Sequence, residues 1–275
     1  MPVSLEAVQS ALWDKYDVQR RLGRGAMATV FLGVCLADGK RVAVKVLNPS
    51  FRMPTGAARF HREIRFLQTL HHPNILPLLA SDEAGRFLYY VMPFADGGSL
   101  IPRISDQGYL SLLETADIVR QVAAALDYSH ANNIVHRDIK PGNVLFHEGR
   151  ARLCDFGIAR AIIHSGGESL SSTGIIIGTP PYMSPEQARG DSDLDGRSDI
   201  YSLACVVCEM LIGEPPFTGR SAQAIMSKQI RLSPPSLRVV RPDLPQHVED
   251  AVHWALAKER GDRPQSASEL AAALV

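Results

Sequence analysis

No stretch of this chain approaches about 18 uncharged apolar residues, so the sequence predicts no helix that spans a membrane. Residues 1–15 contain Glu6 and Asp14 and lack a long apolar core, so they do not read as a secretory signal. Net charge is lacking as well: 29 basic residues cancel 29 acidic ones. A protein that holds nucleic acid by bulk charge would carry a basic surplus, so nucleic acid is not an expected partner. Lysine is scarce, six of the basic residues, and any lysine inside a motif therefore stands out. Cysteine is scarce too, at positions 35, 154, 205 and 208. Cys205 and Cys208 have redox-like or metal-like spacing, but they fall in a nearly continuous apolar run over residues 200–212 with no second Cys/His pair nearby. They read as small buried hydrophobes. Without a signal, the reducing cytoplasm is the expected location.

What is present is ordinary globular composition: 275 residues, 45% apolar, enough for one large domain or two lobes. The first hundred residues and the remainder differ. Over residues 16–47, Val18, Arg20 and Leu22 alternate with polar neighbours, and residues 29–35 and 41–47 are β-branched and apolar, which predicts strands. Asp38-Gly39 marks a hairpin turn. Residues 57–70 carry Phe60, Ile64 and Leu67 at helical spacing, and His72-Pro73-Asn74 ends that helix. Residues 76–79 and 87–92 read as further strands. After Asp96 helices dominate: a stripe of Val119, Val122, Ala123 and Leu126, the buried run 200–212, and amphipathic segments 248–257 and 266–274. Short strands are expected at 144–146 and 152–154. Residues 165–174, with five Ser/Thr and three Gly, read as a loop.

Residues 22–30, Leu-Gly-Arg-Gly-Ala-Met-Ala-Thr-Val, form a glycine loop between two strands. Glycine admits phosphate oxygens close to the backbone. The loop leads into a strand, which excludes a dinucleotide-binding fold and a Walker loop, both of which lead into a helix. Lys45 lies in the apolar strand Val42-Ala43-Val44-Lys45, where a lysine requires an anionic partner. Glu63 shares the inward face of the next helix with Phe60 and Leu67 and is the natural candidate. Taken alone, these features favour an ordinary glycine-containing hairpin, a surface Lys and a solvated Glu.

His136-Arg137-Asp138-Ile139-Lys140-Pro141-Gly142-Asn143 fits H-R-D-x-x-x-x-N at every fixed position, and Asp155-Phe156-Gly157 begins 17 residues after Asp138. With these motifs in order, the chain resembles a bacterial eukaryotic-like (Hanks-type) serine/threonine protein kinase catalytic domain, from about residue 16 to 274. The resemblance implies an α+β, two-lobed protein kinase fold: an N-terminal extension over 1–15, a small β-sheet N-lobe with one helix over 16–95, and a mainly helical C-lobe over 96–275. It implies transfer of the γ-phosphate of ATP, with Mg2+ or Mn2+, to Ser/Thr hydroxyls of protein substrates. By that resemblance, amides of residues 23–28 cover the phosphates, with Gly23 and Gly25 allowing the approach. Lys45, fixed by Glu63, holds the α- and β-phosphates. Asn143 and Asp155 are the metal ligands. Asp138 accepts the hydroxyl proton, and Lys140, a mark of the Ser/Thr class, steadies the γ-phosphate.

The same resemblance places adenine where the lobes join. Val30, Ala43 and Leu145 sandwich it, Met92 is the gatekeeper, Pro93 and Ala95 offer backbone contacts, and Leu22 is a further ATP-binding residue. Pro93 has no N–H, so it would use its carbonyl and Ala95 its amide. Asp96 reaches toward the ribose. Glu186 pairs with Arg263, and Asp199 caps the buried helix and holds the loop near Arg137. Arg137 goes with activation by loop phosphorylation, for which Ser171 and Thr173 are the candidates, through trans-autophosphorylation in a kinase homodimer. Thr179 would contact substrate and catalytic loop. Ala28, Ala204 and Ser184 depart from the family pattern without removing a catalytic group. A pseudokinase reading is opposed by the presence of Lys45, Asp138, Asn143 and Asp155. A small-molecule kinase is opposed by residues 178–186, a peptide platform in protein kinases. The chain reads as a minimal kinase or as the catalytic part of a longer protein.

Overall fold

The computed structural model describes residues 3–25, 27–48, 56–156 and 178–275; for residues 56–59 and 63 only the backbone is described. Two compact units divide it. The first comprises residues 3–71 and 75–96, and the second comprises 72–74 and the described residues from 97 onward.

The first unit is a five-stranded antiparallel sheet in the order β1-β2-β3-β5-β4. Its strands are β1 (Tyr16–Arg24), β2 (Ala28–Cys35), β3 (Arg41–Leu47), β4 (Ala80–Ala84) and β5 (Phe87–Pro93). Alternation sorts the central strand onto two faces. Val42, Val44 and Val46 are buried with Phe31, Tyr89 and Val91. Helix α1 (Leu5–Leu12) adds Val8 and Leu12 to that same cluster, so the segment ahead of β1 is part of the core. Ser4 caps α1, its hydroxyl accepting from the Ala7 amide. The opposite face carries Val30 opposite Lys45 opposite Tyr90, and Leu32 opposite Ala43 opposite Met92. Helix α2 (Gly56–Leu67) buries Phe60 and Ile64. The Phe60 ring lies 6.5 Å from that of Tyr90, which sets α2 on the Lys45 face.

Two strand expectations change. Residues 76–79 are not a strand; β4 begins at Ala80, in the polar run Ala-Ser-Asp-Glu-Ala. An edge strand is held by its backbone pairing to β5, so apolar composition does not decide where it starts. The alternation over residues 18–22 also fails: two register irregularities follow Val18, and Leu22 ends up 37% exposed. A bulge turns the following side chains off the expected face.

The second unit is mostly helical. Its helices are α3 (Leu100–Gln107), α4 (Leu112–Ala131), α5 (Pro185–Arg189), α6 (Gly196–Ile212), α7 (Ala222–Arg231), α8 (Leu237–Val240), α9 (Gln246–Ala255) and α10 (Ala267–Ala273). A two-stranded sheet joins β6 (Val144–His147) to β7 (Arg150–Leu153). Helix α6 is buried nearly all round, including Cys205 and Cys208. Burial pushes both thiols up, which suits inert core residues and not a redox or metal pair. The stripe expected on α4 is buried. Among the described residues, no helix is long and apolar enough to cross a membrane.

Candidate active site

In the second unit, the segment 136–143 runs from the region after α4 into a short 3-10 turn (Pro141–Asn143) that leads into β6. Its backbone is clamped by one carboxylate. Asp199, fully buried in the first turn of α6, accepts from the amides of His136 and Arg137, each at 2.7 Å, and from His130 Nε2 at 2.8 Å. Of the two roles expected for Asp199 from the sequence, holding the loop is borne out and capping the helix is not. Asp195 caps it, accepting from the Arg197 amide at 2.9 Å. Asp199 lies one turn too deep to cap and faces the loop instead. Arg137 takes φ +67°, in the left-handed region that non-glycine residues seldom occupy, and the paired amide contacts hold it there.

His136 is buried and bonded at both nitrogens. Nε2 donates to Cys154 O at 2.9 Å, and Nδ1 accepts from the Asp138 amide at 3.3 Å. Burial pushes its pKa down, so the ring is neutral with the proton on Nε2. The Phe156 ring lies 4.5 Å away.

Asp138 is the focus of the side-chain contacts. Lys140 Nζ lies 2.6 Å from its Oδ2, Asn143 Nδ2 is 3.1 Å from the same oxygen, and Thr179 Oγ1 lies 3.4 Å from Oδ1. Lys140 Nζ also donates to Thr179 Oγ1 at 3.0 Å. The sequence-picked residues Asp138, Lys140, Asn143 and Thr179 thus form one hydrogen-bonded group. Asn143 Nδ2 donates to Asp138 O at 2.7 Å as well, which leaves the amide oxygen of Asn143 for another ligand. The Cys154 amide donates to Asn143 O at 3.0 Å, bringing Asn143 beside the chain that leads into Asp155. Asp155 takes φ +65°. An amide oxygen and a carboxylate are ligands of the kind a hard divalent cation takes. Among the described residues, no group of three or more His, Cys, Asp and Glu is gathered for a metal.

The first unit holds the other candidates. Register places Gly23 opposite Val30, in one row with Lys45, while Ala43 and Met92 share the next row, so all lie on one sheet face. Lys45 Nζ sits 5.7 Å from the Tyr90 ring centre. Glu63 falls within α2, and its side chain lies outside the description. Gly25 donates its amide to Ala28 O at 2.8 Å, closing the turn between β1 and β2. Pro93 ends β5, and Ala95 is buried just beyond it. In the second unit, Leu145 lies on β6 in a bridge to Ser99. Gly157, Ser171 and Thr173 lie outside the described residues.

Three supports escaped sequence reasoning. Gln187 Nε2 donates to Arg137 O at 3.0 Å, while its own side chain and Ser184 form a reciprocal capping box at the start of α5. The Ser-Pro-Glu-Gln spacing carries that signal. His130 reaches Asp199 because residue 196 is glycine: a Cβ there would fall 2.5 Å from His130 Nδ1. Tyr182 donates to Glu209 Oε2 at 2.6 Å, and burial pushes the Glu209 carboxyl up.

The His130–Asp199 pair has a pH signature. Burial opposes charge on His130, yet the hydrogen bond and charge of Asp199 outweigh it, and its pKa rises above the ordinary 6.5. A raised histidine contributes stability that is fully present below 6.5 and lost as pH rises through the folded value. The stability gap between the protein and its His130→Gln variant, read from urea midpoints, is therefore expected to be widest near about pH 6 and to narrow toward about pH 8.5. His136 shifts the other way but is common to both proteins and cancels. A gap that stays flat or widens with pH refutes the charged pair.

The protein kinase domain model matches residues 16–273. Serine/threonine-protein kinase PknB of Mycobacterium tuberculosis is 41% identical over 97% of this chain and 43% of its own length. PknB of Mycolicibacterium smegmatis is 39% identical, over 96% of this chain and 43% of its length. A probable serine/threonine-protein kinase PknB of Bifidobacterium longum is 40% identical, over 93% and 38%. The chain thus spans less than half the length of the curated relatives it matches. With the loop motif, the Asp199 clamp and the five-stranded sheet all in place, the chain belongs to the protein kinase family, in its bacterial serine/threonine-type group.

Proposed function

We propose that this protein transfers the γ-phosphate of ATP to serine or threonine hydroxyls of protein substrates. The observation that carries the reading is the group around Asp138. Its carboxylate is oriented by Lys140 and Asn143 and lies within reach of Thr179. Phosphoryl transfer asks mainly for positioning and charge neutralisation. Asp138 orients the attacking hydroxyl and takes its proton at a carboxylate oxygen. Lys140 holds the transferred phosphate group by charge. Lys45, with Glu63 as its proposed partner, holds the α- and β-phosphates; Val30, Ala43 and Met92 are the first unit's proposed base contacts, and Leu145 is the second unit's. A divalent cation, Mg2+ or Mn2+, held through the Asn143 oxygen and the Asp155 carboxylate, neutralises phosphate charge when bound. The cytoplasm, where ATP is available, is the proposed location of the reaction.

Phosphorylation of the loop that contains Ser171 and Thr173, by a second copy of the chain, is the proposed activation step. Its support is Arg137, a cation directly before Asp138 that a loop phosphate would pair with. Mass spectrometry of active enzyme should find phosphate on this loop; an unmodified loop in active enzyme refutes the step.

The activity itself is tested with γ-labelled ATP and a generic basic protein. Label transfer by the native sequence is expected. Lys45→Met is expected to raise the KM for ATP and cut turnover about a hundredfold or more, the scale for losing a charge aimed at a reacting phosphate. Nucleotide binding with no transfer by the native sequence would favour a binding module instead.

A further inference from the structure

Residues 180 and 181 are consecutive prolines. They begin the 3-10 turn (Pro180–Tyr182) that follows Thr179. Proline offers no N–H, so this part of the chain can be anchored only through its carbonyls. One side chain does that. Gln229 of α7, fully buried, donates through Nε2 to Pro180 O at 3.2 Å and to Pro181 O at 2.8 Å. Its Oε1 accepts from the Tyr201 hydroxyl at 2.6 Å, and that hydroxyl accepts from Lys258 Nζ at 3.0 Å. Tyr201 is fully buried on α6. Lys258 Nζ lies 4.5 Å from the Phe217 ring centre and 5.4 Å from that of Tyr201.

The chain of bonds has one direction. An ammonium group can only donate, and a carbonyl can only accept. Lys258 therefore makes Tyr201 its acceptor, Tyr201 gives its hydrogen to Gln229 Oε1, and the amide nitrogen of Gln229 is left facing the prolyl carbonyls. The opposite amide orientation would set oxygen against oxygen at the prolines and nitrogen against the hydroxyl hydrogen. Burial holds the Lys258 pKa down at about 8, so the group remains mostly charged at neutral pH. From the prolines the arrangement reaches the hydroxyl-binding group directly. The Tyr182 amide donates to Thr179 O at 3.0 Å, and Thr179 Oγ1 contacts Lys140 and Asp138.

We propose that Gln229, oriented by Tyr201 and Lys258, positions residues 179–182 for the hydroxyl-bearing substrate. Gln229 is a positioning residue, acting through Thr179. The inference rests on the protein kinase reading and deepens it: it assigns to α7 and Lys258 a role in engaging the protein substrate and none in holding ATP.

The test compares kinetics of the full chain with a Ser-containing peptide and with ATP as the varied substrate. Gln229→Met keeps the length of the side chain and removes both donors. It is expected to lower kcat/KM for the peptide about tenfold, with the KM for ATP unchanged within about twofold. Lys258→Met is expected to lower peptide kcat/KM by about threefold, and Lys258→Arg, which retains a donor, to restore most of it. Should Gln229→Met fail to fold, the Met and Arg variants at Lys258 are read in its place. Unchanged peptide kinetics overturn the proposal. So does a loss that affects peptide and ATP parameters equally, or an Arg variant no better than Met, since each marks a purely structural role. Absence of transfer by the native sequence overturns the kinase reading and this inference together. Native turnover with an unaffected peptide parameter overturns this inference alone.

Discussion

Asp138→Asn is expected to lower phosphoryl transfer by about a thousandfold while the melting temperature stays close to that of the native sequence. The substitution keeps the shape of the side chain and removes the basic oxygen. Removing a positioned general base costs typically about 10²–10⁴ in rate. The fold should tolerate it, because the Asp138 backbone oxygen still accepts from Asn143 at 2.7 Å and its amide still donates to His136. The loop itself is held from Asp199, which the substitution does not touch. Labelled transfer to a basic protein measures the first expectation and thermal melting the second. Retention of more than about a tenth of native activity would show that Asp138 is not the proton acceptor.

Arg263→Ala carries the largest expected cost to stability. Arg263 and Glu186 are 1% and 2% exposed, and the guanidinium meets both carboxylate oxygens, at 2.7 and 2.8 Å. Ser198 adds a third bond to the carboxylate at 2.5 Å. Burial alone would push the Glu186 carboxyl up, but the Arg263 fork outweighs it and holds the group below its ordinary 4.5. Removing one partner of such a pair leaves an uncompensated buried charge and costs about 3–5 kcal/mol. For a chain of this size that is a fall of roughly 10 °C in melting temperature. Exchanging both partners for apolar residues, often neutral for buried pairs, is not expected to rescue here. Arg263 also donates to the carbonyls of Ala257, Arg197 and Lys258, which would be left without it. A melting temperature within about 2 °C of native in Arg263→Ala would refute this account. The depressed Glu186 also contributes stability that is present above its ordinary value of 4.5 and lost as pH falls through the folded value.

The candidate site was legible in proportion to how far its chemistry lies in consecutive residues. The run His136 to Asn143 sets a carboxylate, an ammonium group and a side-chain amide a few residues apart, so its spacing exposes it. Lys45 is conspicuous as a lysine in an apolar strand, but it gained a candidate role only from the motifs that follow it. The sheet then placed Val30, Ala43, Lys45 and Met92 on one face through strand register. The buried helix α6 was legible because apolar residues on every side leave no solvent face.

Other features were out of reach for physical reasons. The start of β4 depends on pairing with β5, not on composition. The exposure of Leu22 depends on irregularities in β1 that no residue pattern announces. Asp199 sits near a helix start, and capping was the natural local reading; its hold on the loop came only with the family resemblance, since those partners are 62 and 63 residues away in the chain. Gln229 looks like one more polar residue on an amphipathic helix until the two prolines, nearly 50 residues away, are seen against it.

The sequence by itself pointed to the family, to the order of the parts, and to Lys45, Asp138, Lys140, Asn143 and Asp155 as the candidate site residues, because residue type at short spacing carries that signal. Only the tertiary structure decided which further groups hold them in place: His130 on Asp199, Gln187 on Arg137, and Gln229 on the prolines. A hydrogen bond between distant residues leaves no local periodicity or composition, since its energy depends on distance and angle and not on separation along the chain.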